Sequence, residues 1–272
     1  MIELWNLILF HPLINALVFL HQLTGNLGWA IITLTIALRF LMTPLVLPGL
    51  RLSKKMADLA PEVTKLKEKH ERDKTALATA QAELYKSHGA NPASGCLPQI
   101  LQIIVLIALF NALNLVLKSN GDLPSRLNSI LYSFNRLPSD FQLSTQFFYL
   151  NLSQPDVFRL PGLPVPLPGI FLVFSAAIQF LTSKMMSPVV AAEEKLAQKT
   201  PSEADDTAVA MQQQMLYMFP LMTLIFGYQF SSGLVLYWLV FSLVGLVQQY
   251  QVTNWGGLTP WITKLGMVKS KK

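Results

Sequence analysis

The chain has 272 residues, of which 52% are hydrophobic and only 13% are charged, and its mean hydropathy is +0.41. Soluble domains carry about 25% charged residues, so this composition excludes an ordinary soluble protein and favours one that crosses a membrane several times. The net charge is +6, and the single cysteine, Cys96, excludes an internal disulfide.

Residues 1–25 are predicted to form an amphipathic helix that lies in the membrane interface on the outer side. At about 100° per residue, the polar side chains cluster within roughly 120° of one another, and large apolar side chains cover the rest of the helix. That distribution is typical of a helix lying on a membrane rather than crossing it. The two histidines are interpreted as interfacial polar groups and not as metal ligands. The polar face comprises Glu3, His11, Asn15, His21 and Gln22.

Five apolar segments are predicted to be transmembrane helices, because a bilayer core about 30 Å thick takes roughly 20 helical residues. The fourth segment is short and contains Pro220, and Ser231, Ser232 and Gly233 join it to the fifth so tightly that the two must form a helical hairpin. The apolar runs lie at 27–48, 95–117, 168–186, 215–230 and 232–250, and the helices are bounded at 26–50, 94–117, 168–186, 215–230 and 232–250.

Residues 51–93 are predicted to form a coiled helical hairpin outside the membrane, on the cytoplasmic side. Residues 51–91 hold nine Lys/Arg and six Asp/Glu, and apolar residues recur there at spacings of three and four. A polar break at 70–73 separates the two helices, and Gly89 ends the second one. The charge alone would also fit a solvated spacer. The apolar positions are Met56, Leu59, Val63 and Leu66 in the first helix and Leu77, Ala80 and Leu84 in the second.

The remaining segments are connections. Residues 118–167 hold six prolines and are predicted to be an irregular external loop with one short helix near 125–133. Residues 187–214 are predicted to be a cytoplasmic loop, helical at AAEEKLAQK and flexible at the acidic stretch TPSEADD. Residues 251–272 form a basic tail that ends in KSKK.

The distribution of lysine and arginine predicts the orientation, because short loops rich in these residues stay in the cytoplasm. The hairpin carries nine and the tail adds four, whereas the proline-rich loop carries only four over about fifty residues. With five spans, the N-terminus and the proline-rich loop lie outside and the C-terminus lies in the cytoplasm. We therefore expect a multi-pass protein of the cell (plasma or inner) membrane.

Arg39 stands at the centre of the first span, in the stretch TLTIALRFLMTPL, about 18 Å of helix from either end. This is too deep for its side chain to reach the headgroups, and an arginine at the bilayer centre costs about 2.5–3.5 kcal/mol on insertion scales. None of the five predicted spans contains Asp or Glu, which argues against an internal ion pair. We expect Arg39 to face a hydrated cavity.

Polar stripes on several spans predict that this cavity is a shared groove. Each stripe alone would also fit ordinary packing between helices. Combined with a central arginine, the stripes favour a shared polar groove in which the charge is available to a visiting anion. The candidate groove residues are Thr35, Arg39 and Thr43 in the first span, Gln102 in the second, Ser175, Gln179 and Thr182 in the third, and Trp238 and Ser242 in the fifth, where Gly245 and Gln249 share their face.

At these residues the chain resembles the YidC/Oxa-type family of membrane protein insertases, in its short five-span form. The similarity covers about residues 8–252 in order, and the combination of GCLPQ, the mid-span Arg39 and SGLVLYW is specific. The matching stretches are GNLGWAIITLTIALRFLMTPL, NPASGCLPQILQIIVLIALF, LNLSQPDVFRLPGLP, AAIQFLTSKMM and MFPLMTLIFGYQFSSGLVLYWLVFSLVGLVQQY.

The resemblance implies an all-α membrane protein whose five transmembrane helices enclose a hydrophilic groove open to the cytoplasm and to lipid. It implies a chaperone-like insertase that releases new membrane proteins sideways into the bilayer, without nucleotide hydrolysis, so that no catalytic residue, cofactor or metal is expected. The groove arginine, glutamine and tryptophan of the family correspond to Arg39, Gln179 and Trp238. The cytoplasmic hairpin of the family, thought to be mobile and to receive substrates, corresponds to residues 51–93.

The partners implied by the resemblance are nascent membrane proteins, the ribosome and lipid, with the Sec translocon and the signal-recognition-particle receptor as further candidates. A monomer without specific nucleic acid binding is expected. An ion- or solute-coupled transporter is the main alternative, although its usual mid-span acids and histidines do not occur in these spans. An intramembrane enzyme lacks its motifs here, and a structural scaffold with Arg39 on a lipid phosphate would also fit.

Overall fold

The computed structural model describes residues 2–70, 73–89, 97–117, 123–186 and 217–266, and these are mostly helical. The predicted helix within 187–214, Met56 as a packing residue and the KSKK tail lie outside what is described. The helices are α1 (Ile2–Trp5), a π-helical turn (Asn6–Phe10), α2 (His11–Thr24), α3 (Leu27–Asp58), α4 (Ala60–Lys69), α5 (Lys74–Ser87), α6 (Leu97–Leu117), α7 (Leu123–Asn128), α8 (Ile170–Met186), α9 (Tyr217–Gly227), α10 (Ser232–Thr253) and α11 (Thr259–Lys264).

Two small antiparallel ladders interrupt the connection between α7 and α8, where the sequence predicted irregular structure. Strand β1 (Gln146–Phe147) pairs with β2 (Leu150–Asn151), with Gln146 opposite Asn151. Strand β3 (Val157–Phe158) pairs with β4 (Leu167–Pro168), with Phe158 opposite Leu167. Each strand has only two residues, too few for the alternation that marks a strand in a sequence.

Four of the described helices are long and apolar enough to cross a membrane: Glu3–Thr24, Leu27–Leu52, Ile100–Leu117 and Ser232–Thr253. The apolar helices Ile170–Met185 and Tyr217–Gly227 are shorter. Three of these helices match predicted spans. The fourth is the N-terminal helix, which is long and apolar enough to cross a membrane although the sequence predicted that it lies in the interface. The protein is an all-α membrane protein with several apolar helices of spanning length.

The chain forms two compact units, and five helices contribute residues to both: α3, α6, α8, α9 and α10. The first unit comprises Met1–Leu41, Ile100–Ala176 and Met222–Val244. The second unit comprises Met42–Gln99, Ala177–Leu221 and Gly245–Lys272.

The first unit has an apolar core that α2, α3, α6, α7 and α10 share with the connection after α7. That connection also caps the helices that begin beside it, which matters because the first backbone N–H groups of a helix have no partner within it. The Ser232 N–H donates to Gln154 O at 2.6 Å, and the Ser232 hydroxyl donates to Asn151 O at 2.8 Å. The start of α10 is thereby fixed to residues of the connection.

Asn26 caps α3 in a similar way. Its Oδ1 accepts from the Gly28 N–H at 2.9 Å, and its Nδ2 donates to Gln146 O at 3.1 Å, which joins the start of α3 to β1. A Cβ on Gly28 would collide with the Phe147 ring, so the helix and the strand approach this closely only because residue 28 is glycine. The Phe147 ring also meets Trp29 edge-on, with 5.6 Å between ring centroids.

Two of the five residues predicted for the polar face of the N-terminal helix, Asn15 and His21, are buried in the protein, which differs from the expectation that they lie in the interface. Asn15 is 3% exposed, its Nδ2 donates to Ile130 O at 3.1 Å, and its Oδ1 accepts from the Tyr132 N–H at 2.7 Å. His21 is buried against the edge of Phe141, so its interpretation as an interfacial group was wrong. Glu3 and Gln22 of the predicted polar face are exposed, together with five large apolar side chains of the same N-terminal segment: Leu4, Leu7, Ile8, Phe19 and Leu23.

The second unit contains the predicted helical hairpin, formed by α4 and α5. The carboxylate of Asp73 caps α5 by accepting from the Ala76 N–H at 2.9 Å, and α5 ends before Gly89, whose φ is +62°. Leu59 and Val63 are buried, as their spacing predicted. The hairpin does not begin at residue 51, because α3 continues past Pro44 and Pro48 to Asp58.

The continuity of α3 has a simple physical reason. A proline removes one backbone hydrogen bond from a helix, and transmembrane helices accommodate that loss through local adjustment. The segment after Pro48 then regains good helix formers such as Leu52 and Lys55. The first span and the start of the predicted hairpin are therefore one helix of 32 residues.

Candidate functional site

Arg39 lies on α3 in the first unit and is partly buried. Its guanidinium carbon sits 3.7 Å from the centroid of the Phe241 ring on α10, and its Nε donates to the Phe241 carbonyl oxygen at 3.4 Å. A guanidinium over an aromatic face is stabilised by about 0.5–1 kcal/mol at an exposed site and about 2 when desolvated. Helix α10 thus positions the guanidinium of Arg39 through an aromatic ring and a carbonyl group, neither of which carries a negative charge that would neutralise it.

Gln102 on α6 reaches the same part of α10. Its Nε2 donates to the Tyr237 hydroxyl at 3.1 Å, and Tyr237 is fully buried. A buried tyrosine hydroxyl needs such a partner. The Tyr237 and Phe241 rings are one helical turn apart with centroids 5.6 Å from each other, so one edge of α10 connects Arg39 with Gln102.

The remaining candidates of the first unit have other surroundings. Thr35 is buried and its hydroxyl donates to Ile31 O of its own helix at 2.6 Å. Ser175 is fully buried, whereas Ser242 is partly buried. The Trp238 ring packs edge-on against Phe230, with 5.5 Å between centroids. Thr35 and Ser175 are thus enclosed within this unit, and their place in a groove stays a prediction.

Thr43, Gln179 and Thr182 belong to the second unit. The Thr43 hydroxyl accepts from Gln248 Nε2 at 2.8 Å, which ties α3 to α10 there. The Thr182 hydroxyl donates to Ile178 O of its own helix at 2.8 Å, and Gln179 is partly buried. The grouping of all nine candidates around one groove stays a prediction.

The sequence did not predict three residues that contact the candidate site residues: Tyr237 contacts Gln102, Phe241 contacts Arg39 and Gln248 contacts Thr43. The sequence assigned no role to either aromatic residue, although SGLVLYW contains Tyr237. The signal that could have found them is the i, i+4 spacing of two aromatic residues on a span that faces an arginine. Gln248 stands beside Gln249, which had been assigned to the polar face.

The arrangement is suited to binding rather than to bond making. A fixed positive charge beside an amide can hold a carboxylate or a backbone carbonyl. Among the described residues, no three His, Cys, Asp or Glu side chains converge where a metal ion could bind.

Comparison with known proteins matches the 60Kd inner membrane protein family model to residues 19–257. A Fusobacterium nucleatum subsp. nucleatum protein named Membrane protein insertase YidC is 32% identical over 232 residues, which are 85% of this chain and 88% of that protein. Proteins of the same name from Geobacter sulfurreducens and Maridesulfovibrio salexigens are 29% and 32% identical over 92% and 91% of this chain. The chain spans only 38% of the length of each of these two.

Proposed function

Because the chain belongs to the 60Kd inner membrane protein family, we propose that it is a membrane protein insertase of the inner membrane. It receives nascent membrane proteins in a hydrophilic groove and releases them laterally into the lipid bilayer, without nucleotide hydrolysis. The single observation that carries the site assignment is the guanidinium of Arg39, held on the Phe241 ring in mid-helix and partly exposed. The family membership confirms the resemblance found in the sequence.

The proposed mechanism lowers the barrier for the polar part of a substrate. A short acidic segment that crosses the membrane loses water contacts, and a nearby guanidinium replaces part of that hydration with a charge-assisted hydrogen bond. Gln102 and Ser242 supply further polar contacts along the groove. The apolar helix of the substrate then leaves sideways, driven by about 25 cal/mol for each Å² of apolar surface removed from water.

The same proposal includes the finer features taken from the sequence. Five transmembrane helices form the groove, the N-terminus lies outside and the C-terminus lies in the cytoplasm. The hairpin of α4 and α5 receives the substrate, and Arg39, Gln179 and Trp238 line its path. The ribosome is a partner, the Sec translocon and the signal-recognition-particle receptor are further candidate partners, and the chain acts as a monomer. The comparisons give an ion- or solute-coupled transporter no support.

Site-specific crosslinking of a ribosome-stalled nascent chain tests this function. A photo-crosslinker at Ser242 or Gln102 should capture a membrane-protein nascent chain and spare a stalled soluble protein. The matched control is the same probe at Leu7, an exposed apolar side chain of the N-terminal π-helical turn. Equal capture at Leu7, or no capture at Ser242, would refute the assigned path. Failure to support growth of an insertase-depleted strain would count against the function itself.

A further inference from the structure

The proline-rich hairpin, residues 157–168, exposes almost only apolar side chains. Strands β3 and β4 form its base, and residues 159–166 form its turn. Arg159 is the one charged residue among its twelve. A loop that faced water would expose polar side chains, and contiguous apolar patches normally mark an interaction surface. Its exposed apolar residues are Phe158, Leu160, Leu163, Val165 and Leu167.

The hairpin leads directly into α8, which also exposes apolar side chains. Helix α8 begins at Ile170, two residues after β4 ends, and its exposed side chains on the first turns are also apolar. Exposed apolar side chains thus occur both on the hairpin and on the first turns of the helix that follows it. On α8 they are Ile170, Val173 and Phe174.

The apolar part of α8 is too short to cross a bilayer alone. Fourteen residues separate Ile170 from Lys184, which is about 21 Å of helix against a hydrocarbon core of about 30 Å. The six residues from Gly162 to Leu167 make five residue steps, and these span at most about 16 Å, the length of a fully extended chain. The hairpin is long enough to supply the missing apolar height at the end where α8 begins.

A rigid polar clamp fixes the hairpin to that end of α8. The Asp156 carboxylate accepts from the Leu172 N–H at 2.8 Å and from the Tyr149 hydroxyl at 2.8 Å, and the Tyr149 hydroxyl accepts from the Phe171 N–H at 3.1 Å. The Asp156 carbonyl accepts from the Gly169 N–H at 2.8 Å. A carboxylate at a helix N-terminus also meets the positive end of the helix dipole. These hydrogen bonds thus fix the base of the hairpin to the first turn of α8.

The backbone of the hairpin suits a poorly hydrated place. A backbone N–H without a partner is costly near hydrocarbon, and prolines carry no N–H. Four of its twelve residues are proline: Pro161, Pro164, Pro166 and Pro168. The Leu163 N–H donates to Leu160 O at 3.3 Å within the turn.

We propose that the proline-rich hairpin is an interfacial membrane anchor, with its apolar side chains buried at the acyl boundary of the leaflet at which α8 begins. The occupant of this surface is the lipid of the protein's own bilayer, because the hairpin leads directly into an apolar helix of a membrane protein whose first turns also expose apolar side chains. Arg159 lies at the edge of the patch, where its charge meets the lipid phosphates. The anchor sets the depth of α8 and goes beyond the insertase function, on which it does not depend.

Spin-label depth measurements on the full chain test the anchor. A Leu163→Cys variant in a Cys96→Ser background is labelled with a nitroxide and reconstituted into phosphatidylethanolamine–phosphatidylglycerol vesicles. Its relative accessibility to oxygen and to a water-soluble nickel complex should place the label about 5–10 Å below the phosphates. The matched control is Ser139→Cys, exposed in the same connection, which should report water.

Two results would overturn the anchor. One is aqueous accessibility of the label at residue 163 in vesicles, and the other is dipolar coupling between labels on different molecules, which would assign the patch to a second copy. A second variant separates burial of the hairpin in lipid from folding of the protein. Leu163→Asp should move a label at residue 165 towards water, while the melting temperature stays close to that of the parent. A label at residue 165 that keeps its depth would also refute the anchor.

Discussion

Replacing Arg39 by alanine should slow the insertion of substrates with acidic outer segments far more than that of neutral ones. The side chain carries a full charge about 18 Å along α3 from Leu27, and Phe241 holds it in position. Arg39→Ala removes the charge, whereas Arg39→Lys keeps it and loses the stacked guanidinium and the hydrogen bond from Nε. The two variants therefore separate charge from geometry.

The expected size of the effect follows from Coulomb's law. Two unit charges about 4 Å apart at an effective dielectric constant of about 20 attract by about 4 kcal/mol. If hydration of the groove removes about half, the remaining 2 kcal/mol slows transfer about thirtyfold in Arg39→Ala, since about 1.36 kcal/mol is a factor of ten in rate. Arg39→Lys loses about 0.5–1 kcal/mol of cation–π contact, which is about two- to fivefold.

The assay is protease protection of a single-spanning substrate in proteoliposomes that contain the purified protein. Each variant is measured with an outer segment that carries aspartates and with the same segment in which asparagines replace them. The control variant is Leu41→Ala, because Leu41 lies two residues from Arg39 and is 73% exposed. Equal slowing of both substrates by Arg39→Ala would refute the electrostatic reasoning, and so would an unchanged rate with the acidic one.

Three further predictions concern the contacts around the site and the clamp. Tyr237→Phe should lower the free energy of unfolding by about 1–3 kcal/mol, measured by thermal melting in detergent, because Gln102 loses a buried partner; an unchanged melting temperature would contradict this. Gly169→Ala should lower the melting temperature, because its Cβ would collide with the Asp156 carboxylate, and a stability equal to that of the parent would show that the clamp yields easily. Burial raises the pKa of Tyr149 to about 12, so the folded state keeps this proton while the unfolded state loses it near pH 10, and stability falls between pH 10 and 12. Tyr149→Phe should lose less stability than the parent over that range in alkaline melts, and identical pH profiles would contradict the shift.

Much of the helical architecture follows from apolar spacing. The three- and four-residue repeat predicted the helical hairpin, with Leu59 and Val63 buried in it, because a helix buries one face at that period. Helix α4 ends at Lys69 and α5 begins at Lys74, on either side of the four consecutive polar residues from which the sequence predicted two helices. Arg39 was identified as a candidate site residue because placing a charged side chain at the bilayer centre costs free energy, and residues that bear this cost usually have a function.

What the sequence did not predict depends on distant contacts. The burial of Asn15 was missed because its side chain bonds to Ile130, 115 residues away, and helical periodicity does not show whether a polar face meets protein or solvent. The contacts of Arg39 with Phe241 and of Gln102 with Tyr237 join residues more than 130 positions apart. Such pairings are set by how the helices pack.

The packing of the start of α3 against β1 has a consequence for the folding of this protein during its own translation. The start of α3 is completed only when Gln146 reaches Asn26 and Phe147 reaches Gly28, and Asn26 and Gln146 are 120 residues apart. At about 5–20 residues per second, translation needs roughly 6–24 s to supply that partner. During this interval the start of α3 lacks its contacts with β1, so this end of the helix reaches its final packing only after residue 147 has been made.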